Sequence, residues 1–215
     1  MRNQRIRLLL LLAVSLTLLL PLPTYADPPG NTVPLSQGWN FISLRNQPPN
    51  TAIDAVMNDV SPNVLIVWGY DNTNKVWKKW KPGGTSNTLS SMDIGNGYWV
   101  YMVNQAVIDM SQWIPVSSFL PASFYQGWNL IGYNGTDGLS VADALQSVHS
   151  QWIIWNWAAS TWYADAPTIP SLPATIGPLT NLYQGKAYWV KIKETYALSC
   201  GTWDSSVWNN SVWCP

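Results

Sequence analysis

Catalysis needs titratable groups held at fixed spacing, and this chain supplies few of them. His149, in Val148-His149-Ser150, is the only histidine, so any Ser-His-Asp arrangement would have to run through it. It follows a predicted helix in the second half of the chain, and the matching stretch of the first half, near Ser61, has no histidine. It reads as a loop residue. A carboxylate pair for glycoside hydrolysis would have to be drawn from the aspartates and the single Glu194. Asp54 and Asp143 recur in the two halves, but each falls in a short amphipathic helix, where an acid caps the first turn or faces solvent. Asp71-Asn72-Thr73-Asn74 has the residue types of a calcium loop without its glycine or its downstream glutamate. Asp and Asn in such a run form turns. No catalytic residue, metal ligand or cofactor is assigned, and the expectation is that the chain is not an enzyme.

The residue type that stands out is tryptophan, 15 in 215 residues. Indole faces stack on sugar rings while nearby Asn, Asp and Ser bond hydroxyls. Four positions recur in both halves (Trp39/Trp128, Trp68/Trp155, Trp77/Trp162 and Trp99/Trp189), and recurrence argues for packing inside each half. Trp80, Trp113, Trp152, Trp157, Trp203, Trp208 and Trp213 have no such partner. Among these, Trp80, Trp203, Trp208 and Trp213 are the candidates for a ligand-binding surface. The alternative for the tail is a cap over the last sheet edge.

An internal repeat sets these residues out. Gln37-Gly38-Trp39-Asn40-Phe41-Ile42 returns as Gln126-Gly127-Trp128-Asn129-Leu130-Ile131, an offset of 89, and Gly97-Tyr98-Trp99-Val100 returns as Ala187-Tyr188-Trp189-Val190, an offset of 90. A period this long is no solenoid, because each copy can hold a core of its own. The expected fold is α+β and mainly antiparallel β: two tandem homologous modules, 35–112 and 113–199, each with one short helix. Strands are expected at Trp39–Leu44, Val64–Tyr70, Lys75–Lys81 and Tyr98–Val103, with a helix through about Val60, and the second half follows the same plan. Ile66, Trp68 and Tyr70 alternate with Leu65 and Val67, so that strand reads as buried on both faces.

The order Gly38-Trp39-Asn40, Val67-Trp68-Gly69-Tyr70-Asp71, Asn87-Thr88-Leu89, Gly97-Tyr98-Trp99-Val100 resembles a repeat module of exported prokaryotic proteins, seen in S-layer-like and large multidomain cell-surface proteins. The second copy departs at Asn156-Trp157-Ala158 and at Lys186-Ala187. The resemblance implies a surface location and a non-catalytic role.

The ends of the chain and its charge narrow the address. Arg2, Arg5 and Arg7 precede an apolar run from Leu8 to Leu20 and then Thr24-Tyr25-Ala26, the order of a secretory signal peptide over residues 1–26. The run is too short to span a bilayer, so no membrane span is expected after cleavage. An extended leader, 27–34, follows. Three of the 11 basic residues lie before residue 27 and all 11 acids lie from Asp27 onward, so the mature chain carries about −3. Nucleic acid, which asks for a basic face, is thereby excluded as a partner. Cys200 and Cys214 suggest one disulfide closing a C-terminal cap, 200–215. Asn134 and Asn209 stand in glycosylation sequons. The chain is expected to be secreted or at the cell surface, a non-catalytic binding or assembly module. Its expected partner is an extracellular polysaccharide, through exposed tryptophan, or a cell-envelope protein. A purely structural envelope component is the alternative, and a glycan-active hydrolase is disfavoured by the scarcity of acids and histidine.

Overall fold

The computed structural model describes residues 31–116, 123–145, 152–167 and 171–193, and short strands at 196–197, 199–200 and 211–212. The expected signal peptide, the first half of the leader (27–30), His149, Trp203, Trp208, Trp213, Cys214 and Asn209 lie outside the described residues.

The first half runs β1 (Thr32–Leu35), β2 (Gly38–Ser43), α1 (Ile53–Val56), a 3-10 turn at Ser61–Asn63, β3 (Val64–Asp71), β4 (Val76–Trp80), β5 (Gly97–Met102) and β6 (Ala106–Asp109). The second runs β7 (Ser123–Phe124), β8 (Gly127–Gly132), β9 (Leu139–Ser140), α2 (Val141–Ala144), β10 (Trp152–Ala158), β11 (Thr161–Asp165), β12 (Gly177–Pro178), β13 (Asn181–Leu182) and β14 (Ala187–Ile192). Beyond it, β15 (Tyr196–Ala197) pairs with β7, and β16 (Ser199–Cys200) with β17 (Ser211–Val212). One sheet has the order β2-β5-β3-β4; the other reads β8-β14-β10-β11, with β12 added in parallel at its edge. The fold is therefore mainly antiparallel β with two short helices.

Two local expectations change. The first helix stops at Val56, because Asn58, Asp59 and Pro62 are poor helix formers; the Asn58 side chain donates to Asp59 Oδ1, and the Ser61 hydroxyl donates to the Asn58 carbonyl. The end of the leader is structural. Val33 and Leu35 are buried, Pro34 sits outward, and β1 pairs with β6.

The repeated Gly-Trp-Asn has a mechanical meaning. Gly38 and Gly127 take φ of +88° and +81°, which a side chain resists. The following asparagine locks the turn. Asn40 Oδ1 accepts from Ser36 N at 2.8 Å while Nδ2 donates to Ser36 O at 2.7 Å. Asn129 does the same with Tyr125, at 2.9 and 2.7 Å. The repeated tyrosine is a second lock: the buried Tyr98 hydroxyl accepts from Asp93 N, and that of Tyr188 from Tyr183 N, each at 2.8 Å. Burial pushes both phenols well above their ordinary range, so they stay protonated.

Each sheet gives one face to its own core. Ile42, Val67, Trp80, Tyr98, Val100 and Met102 close over Ile53 and Val56 of α1. Ile131, Ile154, Tyr188, Val190 and Ile192 close over Val141 and Ala144 of α2. The other faces meet at a small third core of Phe41, Leu130 and Ala187. The joint there is reciprocal: Ser43 N donates to Gly185 O and Gly132 N to Gly95 O, both at 2.9 Å. It is reinforced on one side by Asn72, whose Oδ1 accepts from Leu130 N and whose Nδ2 donates to Leu130 O, at 2.7 and 3.1 Å.

A Cβ at Gly132 would lie 2.5 Å from Ser43 Cβ and 2.6 Å from Asn96 O. Gly132→Ala is expected to push the sheets apart and to cost about 2 kcal/mol in a urea titration. An unchanged midpoint would mean that the halves part freely.

Candidate functional site

Strand alternation decides what the outer faces present. On β2 it is Trp39 and Phe41, on β5 Trp99 and Tyr101, on β3 Trp68 and Tyr70, and on β4 Trp77. The second sheet presents Trp128 and Leu130, Trp189 and Lys191, Trp155 and Trp157, and Trp162. These faces cover each other only near the joint. The remainder opens as two clefts.

The first cleft, about 650 Å³, is lined by Trp39, Trp68, Trp77, Trp99, Trp157 and Trp162. The second, about 480 Å³, is lined by Trp128, Trp155, Trp162, Trp189, Tyr70 and Trp77. Each residue of one has its repeat partner in the other, and Trp77 and Trp162 wall both. The ring geometry repeats as well. Trp68 meets Trp77 at 6.2 Å and 85°, and Trp155 meets Trp162 at 6.1 Å and 89°. Tyr70–Trp77 and Trp157–Trp162 stand at 5.2 and 5.1 Å. Across the joint, Trp77 reaches Trp189 at 5.4 Å and Trp162 reaches Trp99 at 6.1 Å. Edge-to-face contacts of this kind hold rings at fixed angles, so the clefts have upright aromatic walls.

The recurring tryptophans were expected to pack inside each half. The structure corrects this: Trp39 and Trp77 are each 47% exposed, Trp128 38% and Trp162 36%, and their partners Trp68, Trp99, Trp155 and Trp189 are half-buried. Trp80, a candidate ligand contact, is placed in the core at 2% exposure, its Nε1 donating to Asp54 Oδ1 at 3.0 Å. The register explains the exchange. Trp80 pairs with Val67 on the inner face of its sheet, whereas Trp77 pairs with Tyr70 on the outer one. Trp203, Trp208, Trp213 and Cys214 lie outside the described residues.

Polar groups flank the aromatic walls. A pocket of about 320 Å³ beside the first cleft includes Trp39, Ser36, Gln37, Ser160 and Gln184. One of about 440 Å³ beside the second includes Tyr70, Asn72, Thr73, Ser90 and Tyr125. The Asp71 carboxylate in the β3–β4 turn is fully engaged. It accepts from Thr73 N, Asn74 N and Asn74 Nδ2, and pairs with Lys78 Nζ at 2.9 Å. The Asn74 amide first, then Lys78, hold this carboxyl far below its ordinary value.

The two aspartates expected to recur are likewise committed, although Asp54 is the second residue of α1 and Asp143 the third of α2. Asp54 holds the Trp80 indole, and Asp143 is bonded to Ser140 Oγ, which also caps α2 by accepting from Asp143 N. Asn134 is buried at the joint, its Nδ2 donating to Leu44 O and Arg45 O at 2.8 and 3.2 Å. A glycan on it would have to break that joint. Among the described residues no helix is long and apolar enough to cross a membrane, and no cluster of three potential metal ligands is present. Comparisons with family models, curated proteins and solved structures gave no match.

Two stability measurements separate wall from core. Trp80→Ala should cost about 3–5 kcal/mol in a denaturant titration, and Trp77→Ala about 1–2 kcal/mol, from lost ring contacts alone. Equal losses would place Trp77 in the core. Asp71, depressed in the fold, stabilises above its unfolded pKa near about 4 and loses this contribution as pH falls below it. Asp71→Asn should therefore flatten the fall in melting temperature between about pH 5 and pH 2; a profile as steep as the wild type would remove the turn from acid sensitivity.

Proposed function

We propose that this chain is an exported, non-catalytic module that binds carbohydrate in its tryptophan clefts. The observation that carries the reading is the double cleft: upright indole walls, with hydroxyl and amide groups beside them, placed twice by two stretches of similar sequence. A sugar ring has the matching surface. Its C–H faces stack on indole while its rim of hydroxyls seeks polar partners. We read the two sheets as two copies of one module, joined so that each lends aromatic residues to the other's cleft. Asp54 and Asp143 are held by structural hydrogen bonds, which favours binding over turnover. Export rests on the N-terminal Arg-rich and apolar sequence.

A second reading follows from the same exposed rings. Contiguous apolar surface of this kind also marks protein contacts, so a structural envelope component assembling through these faces is the alternative.

Isothermal titration of protein from Asp27 onward with a panel of neutral β- and α-linked oligosaccharides distinguishes them. Saturable binding that quenches tryptophan emission is expected, weakened about 5- to 10-fold by Trp77→Ala or Trp162→Ala and unchanged by Trp113→Phe. Absence of binding to every glycan, with concentration-dependent self-association in sedimentation, would move the assignment to structural assembly. Release of reducing ends from any glycan would overturn the non-catalytic part.

A further inference from the structure

The clefts match in their walls, except that Trp157 of the first stands where the second has Tyr70, and they differ further at their open ends. In the first, the residue across the strand pair from Trp39 is Tyr101, ring centroids 5.1 Å apart and nearly perpendicular. In the second, the residue across from Trp128 is Lys191, whose Nζ lies 5.7 Å from the indole centroid. A second exchange falls at the hairpin turns. Lys75 and Ser160 occupy matching turn positions, with φ of +58° and +60°. Ser160 shares a pocket with Trp39. Lys75 lies against Trp128: its Nζ donates to Trp128 O at 2.8 Å and stands 5.7 Å from the Tyr125 ring. One cleft end thus carries two hydroxyls and the other two ammonium groups.

We propose that the second cleft binds an acidic sugar, one carrying a carboxylate such as a uronic acid, and that the first takes a neutral one. The inference rests on the carbohydrate reading above. A sugar stacked on Trp128 brings a ring substituent alongside Lys191, which is exposed and unpaired among the described residues. Lys75 adds a second positive charge on the backbone side of the same residue. Burial draws the Lys75 ammonium below its ordinary pKa, a cost that an arriving anion relieves. Lysine serves here as a flexible point charge, so it selects for the charge of the ligand more than for its shape. The tyrosine at the matching place of the first cleft offers a hydroxyl and an aromatic edge, which suit an uncharged ring.

The test compares one oligosaccharide in two charge states: a galacturonic acid hexamer and the same hexamer fully methyl-esterified, titrated calorimetrically at about 20 mM and 150 mM salt. The acidic form is expected to bind about 5- to 10-fold more tightly at low salt, with the gap narrowing at the higher one. Lys191→Gln, at an exposed position, should remove most of the gap, and Lys75→Gln part of it. Trp39→Ala should leave acid binding intact and Trp128→Ala should abolish it. Equal affinity for the two forms, or a preference that survives the double Lys75→Gln, Lys191→Gln variant, overturns the inference while the carbohydrate reading stands. Failure of both hexamers with neutral oligosaccharides still bound also overturns the inference alone; failure of every glycan overturns both.

Discussion

The reciprocal joint between the two sheets is the constraint on which the clefts depend. Ser43 N to Gly185 O and Gly132 N to Gly95 O are one contact made twice with the halves exchanged, which is the signature of a two-fold relation. Backbone can meet backbone there only because side chains are absent or minimal. A Cβ at Gly97 would fall 2.7 Å from Leu130 and 2.9 Å from Ala187 Cβ. Once the strands lock, the outer faces cannot slide, and Trp77 and Trp162 are carried over the opposite sheet. The clefts are therefore products of the joint, and neither half could form one alone. Their rings are braced edge to face, so little rotamer freedom would remain to be lost on binding a ligand there.

The cost of this arrangement lies in what folding leaves uncovered. Fully burying a large apolar side chain is worth about 1.5–3 kcal/mol, and four tryptophans forgo much of that. The core shows the opposite behaviour. Met57 stands where Leu145 does, Met92 where Leu182 does, Met102 where Ile192 does and Phe41 where Leu130 does, all of them buried. Interiors accept such swaps when volume and apolarity are kept. Between the two halves these buried positions have been exchanged, while the tryptophan pairs Trp39/Trp128, Trp68/Trp155, Trp77/Trp162 and Trp99/Trp189 are unchanged; among the cleft rings only Tyr70 and Trp157 differ. Packing alone does not account for keeping the exposed rings.

Much of the fold was legible. The 89- and 90-residue offsets located matching strands, and the central hydrophobic runs, hairpin turns and short helices follow from periodicity. The site was misread for a physical reason. Strands apolar on both faces give no alternation from which to choose the wet side, so Trp68 and Tyr70 looked as buried as Val67. Trp80, beside Lys78, Lys79 and Lys81, looked exposed, yet β4 places it inward and Trp77 outward. Parity relative to Val67 and Tyr70 held the answer, and reading it required the register of β3 on β4, which no local signal carries. The joint left an even fainter trace. Its two reciprocal bonds are backbone to backbone, and Asn134, one of its side-chain members, reads in sequence as a surface sequon.

The two-fold relation also limits what kind of ligand can use both clefts. A glycan chain has a direction, from its non-reducing to its reducing end. Crossing from one cleft to the other reverses the sense in which equivalent residues meet it, so a single chain cannot make the same directional hydrogen bonds in both. Stacking on indole is indifferent to that reversal, because a ring face has no polarity along the chain. On the carbohydrate reading, the walls, alike in five of their six rings, are thus suited to the part of recognition that survives the two-fold. The cleft ends are where the two sequences differ, with Tyr101 and Ser160 set against Lys191 and Lys75, and it is there that direction and charge can be read. On the carbohydrate reading, two nearly matching aromatic floors leave the ends as the main place where the specificities of the clefts can diverge.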